Sequence, residues 1–80
     1  MTLQKMLQIA SREAEKQARK ADSTNNLERK AERYLLAAFL RMDALLITNQ
    51  ILGQSVDHDL IIRYFTDTLK WAADDEGRIK

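Results

Sequence analysis

The chain has no cysteine, no proline and only two glycines among its 80 residues. Without cysteine there can be no disulfide and no thiolate metal ligand. A chain this short buries a modest core, so another staple is expected, and self-association is the simplest. Without proline, and with two glycines, it lacks the punctuation that turn-rich β folds need. Aromatic residues are scarce, at 6%, too few to form a row on which bases stack. The net charge of +1 is too small to draw the chain to nucleic acid or an acidic membrane by itself.

Long apolar runs are also missing. The most apolar stretch, Tyr34 to Ile47, falls short of the roughly 20 residues that span a bilayer and is interrupted by Arg41 and Asp43. The opening Met1-Thr2-Leu3-Gln4-Lys5-Met6-Leu7 has no continuous apolar core and no cleavage site after it, so no secretory signal is read. A cytoplasmic protein without a membrane partner is the default expectation.

What the chain does have is Ala, Leu, Lys, Glu and Gln, the residues of long helices. Tyr34 to Ile47 shows no β-alternation and contains no breaker, so it reads as a buried helix. At about 100° per residue, Arg41 and Asp43 divide that helix into two apolar faces. The wide face carries Leu27, Ala31, Tyr34, Leu35, Ala38, Phe39, Met42, Leu45, Leu46 and Leu52. The narrow face carries Leu36, Ala37, Leu40, Ala44, Ile47 and Ile51. A helix with two faces to bury needs neighbours on both sides.

The rest of the chain supplies two more helices. Helix 1 is expected over about 2–21, capped by Thr2, with a stripe of Leu3, Leu7, Ala10, Ala14, Ala18 and Ala21 at helix–helix spacing and Met6 and Ile9 on its flank. Asp22-Ser23-Thr24-Asn25-Asn26 is a turn, with Asn26 able to cap helix 2 over about 27–52, and Gly53 is its natural stop. Ser55 or Asp57 can cap helix 3, expected over about 56–75 with Gly77 as its stop. Its core face is Ile61, Phe65, Thr68, Leu69 and Ala72, and Leu60, Tyr64 and Trp71 form a side stripe. The fold class is therefore all-α, one helical domain: a small antiparallel three-helix bundle, or a hairpin with a third helix, built on a long central helix and oligomeric.

Chemistry-bearing constellations are sparse, and no catalytic residue, metal ligand or cofactor is assigned. His58 is the single histidine, and its neighbours Asp57 and Asp59 point in other directions from one helix start. Glu28 and Glu32 sit one turn apart but among Arg29, Lys30 and Arg33, which makes them a charge-paired surface turn. Asp74-Asp75-Glu76-Gly77-Arg78-Ile79 matches the middle of a calcium loop, but that register puts Ala72 at the first ligand position and ends before the last one. A helix-turn-helix reader built from helices 2 and 3 would open its recognition helix with acids facing phosphates.

Two binding readings remain. Helix 1 is Ala-rich, so it is expected to cover a Leu/Ile seam poorly and to leave Leu36, Leu40, Ile47 and Ile51, or the Leu60/Tyr64/Trp71 stripe, open to another chain. That makes the protein a non-enzymatic interaction module: a regulator, adaptor or chaperone-like protein acting as a homodimer or as the small subunit of a complex. The alternative is a nucleic-acid-binding regulator that uses Lys5, Arg12, Lys16 and Arg19 on the basic face of helix 1. The three-helix layout and Leu40-Arg41-Met42-Asp43-Ala44-Leu45-Leu46 loosely resemble the BAG family of chaperone cofactors. Such a resemblance would make Arg63 the counterpart of that family's chaperone-gripping arginine. Helix 3 lacks the glutamine that accompanies it there.

Overall fold

A computed structural model describes residues 1–54 and 56–78, with the side chains of 75–78 outside the description. It is all-helical: α1 is Leu3–Asp22, α2 is Leu27–Ile51 and α3 is His58–Arg78. The three helices pack into a rod measuring 41 × 19 × 17 Å.

Each helix start is set by a side chain. Thr2 accepts a hydrogen bond from the Lys5 backbone N–H at 3.1 Å. Asn26 Oδ1 accepts from Glu28 and Arg29 at 3.0 and 3.2 Å. Asp57 Oδ1 accepts from Asp59 and Leu60 at 2.9 and 3.4 Å. These oxygens satisfy backbone donors that the first helical turn leaves unpaired. Ser55, the other candidate cap of α3, lies outside the described residues.

The stop of α2 is equally local. Gly53 adopts φ +86°, its N–H bonds to the Gln50 carbonyl at 3.1 Å, and the Gln54 N–H reaches the Asn49 carbonyl at 2.9 Å. This is a Schellman closure, which needs a residue tolerant of the left-handed region. Gly77 does not end α3. The helix runs through it to Arg78, where the sequence predicted a stop near Asp75.

α1 packs more extensively on α2 than α3 does. Met6, Ala10, Ile47, Ile61 and Phe65 form one core cluster. Ala14, Leu36, Leu40 and Ala72 form a second. The buried row of α1 is Met6, Ala10, Ala14, Gln17 and Ala21, rotated slightly from the expected stripe, so that Leu3, Leu7 and Ala18 are only half-buried. The narrow face of α2 is thus the core.

Candidate functional site

The helical arrangement inverts the expected roles of the two faces of α2. Leu36 is 1% exposed, and Leu40 and Ile47 are 0%, so these three residues cannot serve as the partner surface predicted from the sequence. The reason is steric. The alanines of α1, Ala10, Ala14 and Ala21, are fully or almost fully buried; small side chains bring a neighbouring backbone close enough to enclose a narrow Leu/Ile ridge. An Ala-rich helix is a good lid for that ridge. Ile51, at the end of α2, remains partly open.

The wide face is what solvent sees. Leu27, Tyr34, Leu35, Phe39, Met42, Leu45 and Leu52 are all exposed, with Leu35 at 50% and Leu45 at 65%. Leu35, Ala38, Phe39 and Met42 frame a shallow apolar hollow. Beside it, Leu7, Ser11 and Glu15 of α1 and Arg41 and Leu45 of α2 line the groove between the two helices. On the other flank, half-buried Trp71 of α3 meets Phe39 edge to face, with ring centroids 5.8 Å apart at 63°, a favourable aromatic geometry. Leu60 and Tyr64 are exposed on the Trp71 side stripe of α3. Of the predicted α3 stripe, Trp71 borders the exposed apolar face through Phe39.

Among the described residues, four polar side chains lie inside the fold: Gln17, Arg33, Asp43 and Thr68. Arg33 Nη1 donates to Gln17 Oε1 at 3.2 Å, and Gln17 Nε2 donates to Glu13 at 3.4 Å. Asp43 is 2% exposed, and neither carboxylate oxygen has a hydrogen-bond partner. Burial pushes its carboxyl above the usual carboxylate range, while the Thr68 hydroxyl pulls it partly back. Sequence reading placed Asp43 as a divider between two apolar faces and missed its burial, because the position of α3 decides it. Heptad spacing alone could have found Gln17, which sits between Ala14 and Ala21 on the buried row.

The remaining candidates stay on the surface. Lys5, Arg12 and Arg19 are exposed, while Lys16 is half-buried and pairs with Glu13 at 3.6 Å, so the basic row carries an acid within it. His58 is exposed, with Nδ1 3.2 Å from Gln50 Oε1, a contact that links the start of α3 to the end of α2. Tyr34 donates its hydroxyl to Asp22, and that hydrogen bond is the main cause of a raised phenol pKa. Glu28, Glu32, Arg29 and Asn26 border a polar hollow. Among the described residues no three His, Cys, Asp or Glu side chains converge as metal ligands, and no helix is long and apolar enough to cross a membrane. The calcium-loop segment runs as helix to Arg78; Ile79 and the side chains of 75–78 lie outside the described residues.

Comparison with known proteins finds no matching family model, no similar curated protein and no similar solved structure.

Proposed function

We propose that the chain is a non-catalytic helical interaction module, an antiparallel bundle that docks through the exposed face of α2 and its Phe39–Trp71 border. One observation carries this reading: the narrow face of α2 is already enclosed in the core, yet seven large apolar side chains of its wide face, from Leu27 to Leu52, remain outside it. Taking about 200 Å² for a large side chain, the order that aromatic residues bury, their exposed fractions amount to roughly 800 Å². The largest apolar patch of an ordinary monomer is about 300–600 Å², and one partner's share of a standard interface is about 800 Å². Aromatic residues and Met beside a polar rim also match the composition of interface centres. A regulatory, adaptor or chaperone-like role acts through such a surface without chemistry of its own.

The test is a photo-cross-linking residue placed at Ala38, inside the face, and separately at Lys70, on the exposed side of α3. Irradiation in the native host should give a higher-mass adduct from position 38 and none from position 70. Absence of any adduct at 38, with the protein folded, overturns the reading.

A further inference from the structure

Laid antiparallel on a second copy of itself, the exposed face of α2 sets small side chains against large ones. At two, five and nine residues either side of residue 40, the exposed side of α2 pairs Ala38 with Met42, Leu35 with Leu45 and Ala31 with Asn49. We infer that the occupant of this face is a second copy of the same chain, with the two α2 helices crossing antiparallel about a two-fold axis near residue 40. The inference rests on the wide face of α2 being an interface.

A two-fold interface is self-complementary, so each residue must tolerate the mate that symmetry sets opposite it. Here Ala38 lies against the partner's Met42, small against large, so the helices can approach closely at the centre. Leu35 meets the partner's Leu45 on either side of that layer. The next layer out is Ala31 with the partner's Asn49, and beyond it Leu27 lies one residue out of register with the partner's Leu52. The exposed apolar area, roughly 800 Å² on each copy when wholly covered, is of the order of one partner's share of a standard-size interface.

The flanks fit the same axis. On one side, Phe39 and Trp71 stand edge to face next to the centre, so two copies bring four rings together, the kind of buried aromatic cluster that dominates interface energetics. On the other side, Glu15 and Arg41 line one groove. Two copies put two arginines and two glutamates at the axis, a set with no net charge. Parallel pairing would instead stack Ala38 on Ala38 and Met42 on Met42, leaving a gap beside a clash.

The absence of native cysteine makes a register test direct. Ala38→Cys and Met42→Cys chains are mixed and oxidised gently. Antiparallel pairing predicts that the mixed 38–42 disulfide forms well ahead of the 38–38 and 42–42 species. Light scattering on the unmodified chain should give twice the 9.3 kDa chain mass, falling to the single mass in Leu35→Glu with the helix content retained. The sole tryptophan should change its emission on dilution through the same transition. Dominance of the 38–38 and 42–42 species overturns the antiparallel pairing. A single-chain mass at every concentration overturns the second copy. If position 38 then cross-links to a different protein, the docking face stands and only its occupant changes; if it cross-links to nothing, both fall.

Discussion

Asp43 on α2 lies beside Thr68 on α3; the Thr68 hydroxyl donates to the Tyr64 carbonyl at 2.7 Å, and neither buried Asp43 oxygen has a partner within hydrogen-bond geometry. A buried, unpaired carboxylate is costly when ionised. Burial is the main cause of its raised pKa, which means that the folded chain holds this proton more tightly than the unfolded chain does. The stabilisation from that proton is fully present below the ordinary value of 3.8 and is lost as the pH rises through the raised folded value. Asp43→Asn removes the charge while keeping the shape. It should stabilise the fold by about 1 kcal/mol at neutral pH, and the gain should shrink towards zero as the pH falls below the ordinary value. Urea midpoints across a pH series measure this. A loss of stability at neutral pH would show that the ionised carboxylate is satisfied.

The contact between Gln17 and Arg33 is the reverse case, a buried polar pair whose hydrogen bond is made. Gln17→Leu keeps the volume and removes the acceptor, leaving one Arg33 N–H without that oxygen. The expected cost is about 1–3 kcal/mol, read as a lower denaturation midpoint. Glu13→Ala lies at the edge of the same network, where Glu13 accepts from Gln17 and pairs with a half-buried Lys16. It should cost less than 1 kcal/mol. Equal costs for the two variants would move the centre of the network out to Glu13.

Local features of this fold were legible because local chemistry determines them. Thr2, Asn26 and Asp57 are capping residues placed before apolar periodicity, and each does cap its helix. The division of α2 into two apolar faces was legible for the same reason. Which face turns inward was not, because that depends on how closely α1 approaches. Alanines at 10, 14 and 21 read as weak packing until they are seen as clearance for Leu36 and Leu40. Asp43 was illegible for a related reason: its burial requires α3 to cover it, and no pattern within α2 reports the path of α3. Gly77 misled because a glycine near a chain's end resembles a stop, and a helix tolerates one at about 1 kcal/mol.

Gly53 isolates a backbone effect. Its φ of +86° lies in the left-handed region, and a Cβ added there meets nothing within 4 Å. Any cost of Gly53→Ala is therefore conformational, about 1 kcal/mol, or a fall in Tm of roughly 4–8 °C for a chain of this size. Asn tolerates the same region better, so Gly53→Asn should lose less. A D-alanine at this position, introduced by chemical synthesis, should match or exceed the stability of glycine. If L-alanine is harmless, the Schellman closure contributes little to holding the end of α2.

The two faces of α2 make opposite predictions for the same substitution. Leu40 is wholly enclosed and Leu45 is 65% exposed. Leu40→Ala removes buried methyl and methylene groups and leaves a cavity, at a cost of about 2–5 kcal/mol, a large share of the roughly 5–15 kcal/mol that holds an ordinary domain. Leu40→Asp puts a carboxylate in the same enclosure and should abolish folding. Leu45→Ala, measured at a dilution where scattering gives the mass of one chain, should fall within about 0.5 kcal/mol of the parent. Raising the concentration should separate them further: any association through the wide face stabilises the parent by mass action, so the Leu45→Ala penalty grows with concentration while the Leu40→Ala penalty is already present in the monomer. A concentration-independent penalty at Leu45 as large as that at Leu40 would mean that the wide face is buried within one chain, and the docking surface would have to be sought elsewhere.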